Sequence, residues 1–156
     1  MSQKGGCVCG AIRYLVSSEP LFLHVCHCTE CQASSGSAFT TTLITEISNF
    51  RVLQGIPKVS DSFTGQSGKV YDLSSCRQCG TGLWATEKGL PKGLLFLRAG
   101  TLDNTRNLKP MAHIYTKSKQ KWLILPDDVP TFEEGYRTED LWPAESIERL
   151  NQLFSR

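Results

Sequence analysis

Seven cysteines fall in three tight clusters, Cys7-Val8-Cys9-Gly10, Cys26-His27-Cys28-Thr29-Glu30-Cys31 and Cys76-Arg77-Gln78-Cys79-Gly80, and any fold for this chain must account for where those sulfurs go. An odd count argues against a closed disulfide framework, as does the reducing compartment expected for the chain. Sulfurs two or three residues apart can instead converge on one ion, because a short turn points both thiolates inward. A glycine directly after the second cysteine, Gly80 in one cluster and Gly10 in another, lets the backbone curl around them.

A structural zinc takes four tetrahedral ligands, so two bidentate pairs from distant parts of the chain complete one closed site. Cys7 and Cys9 with Cys76 and Cys79 meet that requirement. Cys26, Cys28 and Cys31 then form a three-ligand set with one position free for water or substrate, the arrangement of a catalytic zinc. Spacing alone also allows Cys7 and Cys9 to pair with two of the middle cluster, and thiolate-only sets suit iron–sulfur clusters as well.

The residues around the cysteines offer further candidates. His27, inside the middle cluster, is a candidate fourth ligand or a hydrogen-bonding neighbour of the ligands, although adjacent residues in a turn usually point apart. His24 reads as a core histidine on a strand, and His113 as a candidate general acid or base. Ser34-Ser35-Gly36-Ser37, just after Cys31, offers hydroxyl or backbone donors beside the metal, or serves only as a cap or turn. Asp103 reads as a turn former.

Apolar periodicity predicts a mainly β, antiparallel fold. Ile12, Tyr14 and Val16, then Leu21, Leu23 and Val25, alternate with small or polar neighbours on either side of a Ser17-Ser18-Glu19-Pro20 turn. Short runs at Ala38 to Ile44, Phe50 to Leu53, Val70 to Leu73 and Leu94 to Ala99 suit further strands. A hairpin is expected between His113–Thr116 and Trp122–Leu125 across the Lys117-to-Lys121 loop. One helix stands out near the C-terminus, with Pro143 in its first turn and Ile147, Leu150 and Phe154 on one face. The chain's 156 residues suit a single zinc-binding domain over 1–156, with a cysteine-cluster core at about 5–136 and a C-terminal packing segment at 137–156.

A net charge of +2 argues against a nucleic-acid binder that works by counterion release. Positive residues gather between Arg98 and Lys121 and acidic ones between Asp127 and Glu148, which suits either two solvated faces that partly neutralise each other or a basic rim for an anionic small molecule. No apolar run suits a signal peptide or a bilayer span, so a cytoplasmic protein without a membrane partner is expected.

Gly6-Cys7-Val8-Cys9-Gly10, Cys26-His27-Cys28 with Cys31, and Cys76, Cys79 and Gly80 together resemble the glutathione-dependent formaldehyde-activating enzyme family, whose domain is shared with centromere protein V. The resemblance continues through Ala99-Gly100-Thr101-Leu102-Asp103, Lys109-Pro110, His113-Ile114 and Trp122. It implies a tent-like fold of antiparallel sheets held by a structural zinc on Cys7, Cys9, Cys76 and Cys79, and a second zinc on Cys26, Cys28 and Cys31 at the active site. It implies a carbon–sulfur lyase acting in reverse, which joins the thiol of glutathione, or another thiol, to formaldehyde or a related small aldehyde. The chain departs from the family where Leu73-Ser74-Ser75 stands in place of an aromatic residue ahead of Cys76. The residues also suit a zinc-stabilised binding module, or a redox or metal-handling protein whose incomplete site oxidises.

Overall fold

The computed structural model describes residues 2–60, 62–89 and 93–155. Two sheets form among them. The smaller holds β1 (Gln3–Gly6), β2 (Arg13–Val16) and β5 (Phe50–Gln54), all antiparallel. The larger runs in the order β11 (Ala112–Ile114), β3 (Phe22–Cys26), β4 (Thr40–Glu46), β10 (Leu94–Arg98), β9 (Gly82–Glu87), β8 (Val70–Ser75) and β6 (Lys58–Val59), with β7 (Phe63–Thr64) also on β8. Neither sheet closes into a barrel, and the mainly β, largely antiparallel expectation holds.

Period-two alternation divides the large sheet's side chains between two cores. Leu23, Leu43, Leu95 and Leu97 face the small sheet and meet Ile12, Tyr14 and Val16 there. Phe22, Ile44 and Ile114 face the other way, toward Phe132, Tyr136, Trp142, Ile147 and Leu150. β3 is buried at all five positions because both its faces are covered. The expected C-terminal helix is present as α3 (Ala144–Phe154), with Pro143 just outside it and Ile147 and Leu150 packed on the second core. It follows α2 (Thr138–Leu141). No helix among the described residues is long and apolar enough to cross a membrane.

The expected hairpin after His113 does not form. β11 pairs in parallel with β3, His113 opposite Val25 and Ile114 opposite Cys26. The outer edge of β11 bonds to a later segment, through His113 N–H to Pro130 O at 2.8 Å and Phe132 N–H to His113 O at 2.8 Å. With those donors and acceptors occupied, residues 122–125 have no strand to join. Trp122 and Ile124 are 71% and 91% exposed.

Within Leu73-Ser74-Ser75, the segment where the resemblance calls for an aromatic side chain, Ser74 lies opposite Trp84 in the β8–β9 register, and Trp84 packs on Tyr14 and Phe50. The aromatic volume comes from the neighbouring strand.

Candidate functional site

The first and third cysteine clusters meet, a turn of the small sheet against a turn of the large one: Cys7 and Cys9 lie between β1 and β2, Cys76 and Cys79 between β8 and β9. All four sulfurs lie within 4.8 Å of one another. Each pair sits on a hydrogen-bonded turn that a glycine ends: Gly10 N–H donates to Cys7 O, three residues back, at 3.0 Å, and Gly80 N–H to Cys76 O, four residues back, at 3.0 Å, and both glycines have left-handed φ, +77° and +73°. L side chains rarely adopt that conformation, which is why glycine ends each turn.

Tetrahedral zinc at about 2.3 Å from each sulfur spaces the sulfurs by about 3.8 Å. Cys7 and Cys9 Sγ are 3.5 Å apart and Cys9 and Cys76 Sγ 3.7 Å, far beyond a disulfide bond. Backbone N–H groups of Ile12 and Gln78 already point at Cys7 and Cys76 Sγ, at 3.2 and 3.4 Å, as thiolate ligands require. Thr81 donates charge stabilisation as well, and its hydroxyl holds Cys79 down at about 5. The donor set fits zinc.

The middle cluster is built differently. Cys26 ends β3, Cys28 is the N-cap of α1 (Thr29–Ser35), and Cys31 lies in that helix's first turn. Cys28 Sγ accepts from Cys31 N–H at 3.3 Å, so one sulfur both caps the helix and belongs to the cluster. The three sulfurs lie within 4.8 Å of one another. Cys26 and Cys28 donate to Cys31, and the Arg98 guanidinium lies close by, with Nη1 at 4.0 Å from Cys31 Sγ; together they hold Cys31 well below the usual thiol range. Cys26 is pushed up by its hydrogen bonds with Cys28 and Cys31 and by burial.

These three cysteines border a cavity of about 350 Å³, which none of Cys7, Cys9, Cys76 and Cys79 reaches. Its floor is one face of the large sheet. His24, Thr42 and Arg98 stand in register across β3, β4 and β10, and the next row holds Phe22, Ile44 and Phe96. His24 to Arg98 therefore spans roughly 10 Å, two strand spacings of about 4.8 Å each. Tyr71 and Phe63 close one side; Tyr115, Tyr136 and Trp142 close another.

Arg98 is held in place by Ser34, whose Oγ accepts from Nη2 at 2.8 Å. Ser35 instead donates to Cys31 O at 2.7 Å, and Gly36 caps α1 with φ +63°. The serine stretch thus divides between orienting the cavity's arginine and ending the helix. His24 lines the cavity, its Nδ1 3.2 Å from the Tyr136 hydroxyl, and burial holds its pKa down at about 4.

His27 and His113 do not border the cavity. His27 Nε2 lies 2.9 Å from His113 Nδ1 in the interior, and neither imidazole joins the sulfur cluster. Asp103 pairs with Arg13 and donates its backbone N–H to Lys4 O at 2.9 Å, tying the 3-10 turn after β10 to the small sheet. Part of the charge asymmetry is neutralised within the chain, as Lys117 binds Glu134 at 2.6 Å.

Sequence spacing located the sulfurs but not the rest of the cavity. His24 was separable from a core histidine only by its place two residues before Cys26, on the same strand face. Arg98 closes an apolar run that looked like simple core, and Tyr136 and Trp142 come from a segment with no motif of its own.

A family model described as glutathione-dependent formaldehyde-activating enzyme matches residues 2–118. No curated protein matches the chain at a significant level. Among solved structures, the crystal structure of a Rhodobacter sphaeroides protein aligns with a TM-score of 0.49 and 19% identity, covering 67% of this chain and 91% of that chain. The family match takes in both sets of cysteines, and the chain belongs to the glutathione-dependent formaldehyde-activating enzyme family.

Proposed function

We propose that the chain is a cytoplasmic, single-domain zinc enzyme of the carbon–sulfur lyase type, which forms or cleaves the adduct of a thiol such as glutathione with formaldehyde or a related small aldehyde. One observation carries this reading: the three-cysteine cluster opens on a cavity, whereas the four-cysteine cluster does not. Cys7, Cys9, Cys76 and Cys79 would hold a closed structural zinc, and Cys26, Cys28 and Cys31 a second one. Zinc on the three-cysteine set would favour the thiolate form of an incoming thiol or polarise an aldehyde oxygen.

The chain's own residues then do the rest. Aromatic side chains of Phe96, Tyr115 and Trp142 line the cavity beside the sulfurs and lower the local polarity there, although the cavity stays open to solvent. Arg98 beside Cys31 offsets the negative charge of three thiolates, which would otherwise discourage a fourth anionic sulfur from approaching. In the forward direction the thiol sulfur adds to the carbonyl carbon, the C=O π pair moves to oxygen, and the thiol's proton ends on that oxygen. Nothing else is consumed.

The test is exchange NMR with 13C-formaldehyde and glutathione. Zinc-loaded protein is expected to raise the exchange rate above the spontaneous rate, and Cys28→Ser, which keeps a capping oxygen for α1, is expected to remove the effect while the fold persists. A fully active Cys28→Ser protein sinks the proposal.

A further inference from the structure

A hydrogen-bond relay ends in the cavity. Trp142 Nε1–H donates to the Tyr136 hydroxyl at 3.0 Å, and that hydroxyl lies 3.2 Å from His24 Nδ1. An indole N–H can only donate, so the Tyr136 oxygen accepts from Trp142. Among the described residues, the acceptor within reach of the hydroxyl's own proton is His24 Nδ1. That nitrogen is then the acceptor, and the neutral imidazole carries its proton on Nε2. The ring is further fixed by edge contacts with Phe22 and Tyr136, at centroid distances of 6.4 and 6.1 Å.

The ring as a whole borders the cavity, and no hydrogen bond among the described residues takes up Nε2. His24 lies on the same face of β3 as Cys26 two residues on, and level with Thr42 and Arg98. We propose that His24 Nε2–H is the donor that receives the aldehyde or hydroxymethyl oxygen of the substrate, which makes His24 a further catalytic residue of this site. This inference rests on the reading of Cys26, Cys28 and Cys31 as the thiol-activating centre.

The chemistry suits a donor that never gives up its proton. As the sulfur adds to the carbonyl carbon, negative charge grows on oxygen, and a donor already oriented by its own neighbours stabilises that charge without reorganising. The oxygen takes its proton from the thiol's own hydrogen by way of solvent, so the sum of atoms is unchanged. Tyr136 and Trp142 both lie beyond residue 118, where the family match ends. The orientation of His24 is thus set by a part of the chain outside the matched region.

Two measurements decide the matter. Long-range 1H–15N NMR separates a protonated Nε2 with a bare Nδ1 from the opposite tautomer. His24 is expected to show the first in the wild type and to shift toward a mixture in Tyr136→Phe; a wild-type His24 protonated on Nδ1 overturns the proposal. On cobalt-loaded protein, the sulfur-to-cobalt absorption band reports thiol binding. 2-Mercaptoethanol is expected to bind about fivefold tighter than ethanethiol, as one added hydrogen bond allows. His24→Leu is expected to abolish that preference and His24→Gln, whose amide N–H replaces the imidazole donor, to restore part of it. A preference unchanged in His24→Leu, or equal loss in the Leu and Gln variants, overturns the proposal. If the wild type fails to accelerate formaldehyde exchange, the proposed reaction falls, while the tautomer and the thiol preference still decide the role of His24.

Discussion

His27 Nε2 faces His113 Nδ1 at 2.9 Å with the two rings nearly parallel, 26° apart, so a histidine lodged between two cysteines turns its ring away from their sulfurs. His27 is 0% exposed, and its Nδ1 has no hydrogen-bond partner among the described residues. One good hydrogen bond therefore keeps a buried imidazole acceptable. Replacing His113 by leucine strips His27 of it, leaving both ring nitrogens unsatisfied, at a cost of about 1–3 kcal/mol. Thermal unfolding should show a fall in Tm of about 5 °C. The double variant His27→Phe/His113→Leu, which removes both polar partners, should lose less than the sum of the two single changes. A His113→Leu protein as stable as the wild type would mean that the pair contributes nothing.

The two cysteine sets should respond differently to metal removal. The four-cysteine set joins a turn of the small sheet to a turn of the large one, so its metal would be part of the folding free energy. Structural zinc contributes about 10–16 kcal/mol, as much as the whole stability of a typical domain at about 5–15 kcal/mol. The three-cysteine set stitches only β3 to α1 and opens on solvent through the cavity. Wild-type protein should carry two zinc ions per chain by elemental analysis, and Cys28→Ser one. Mild chelation should strip one ion with no change in the far-ultraviolet circular dichroism, while Cys76→Ser should fail to fold. Equal sensitivity of both ions would contradict this division.

Arg98 places a permanent positive charge 4.0 Å from Cys31 Sγ, with Ser34 fixing its other nitrogen. At that distance a unit charge pair is worth between about 1 kcal/mol in water and about 4 kcal/mol at an intermediate dielectric. Arg98→Gln keeps a hydrogen-bond donor and removes the charge. It should weaken zinc at the three-cysteine site about tenfold in a chelator competition, toward the lower end of that range because the cavity is open. Zinc at the four-cysteine site should be unaffected. A change in both sites, or in neither, would show that the guanidinium does not act on this cluster.

How far the sequence reaches follows from the range of each interaction. The metal sets were legible because chelation demands short spacing, and the glycines because a left-handed turn excludes side chains; both constraints are local. Strands β2, β3, β4, β5, β8 and β10 were legible from alternation and composition, and α3 from its apolar stripe. β9, which follows the cysteine turn ending at Gly80, carried no clear alternation. The parallel seat of Ala112–Ile114 on Phe22–Cys26 was hidden because it joins segments far apart in sequence and leaves no periodic mark. The cavity's aromatic wall was hidden for the same reason. Tyr136 and Trp142 look like ordinary packing residues until the fold lays them over His24.

That wall depends on how the C-terminal segment is fastened. Arg149 in α3 grips Glu46 at the end of β4 with two bonds, Nε to Oε1 at 2.9 Å and Nη2 to Oε2 at 2.8 Å, and its Nη2 also donates to Glu19 O at 3.0 Å. Burial pulls the Glu46 pKa up, but the hydrogen bonds from Arg149, from its own backbone and from Asn49, with the guanidinium charge, outweigh it and hold the carboxyl below its ordinary value. A folded-state pKa below the unfolded one means that the unfolded chain binds the proton more readily. The pair's stabilisation is therefore complete above the unfolded carboxyl value and is lost as pH falls through the folded one. Arg149→Ala leaves the buried carboxylate without its main partner and should cost about 3 kcal/mol at neutral pH. Urea unfolding of both proteins between pH 7 and pH 3 should show the gap between them narrowing as the medium becomes acidic. If the gap is the same at both ends, the clamp is not electrostatic, and α3 is held by Ile147 and Leu150 alone.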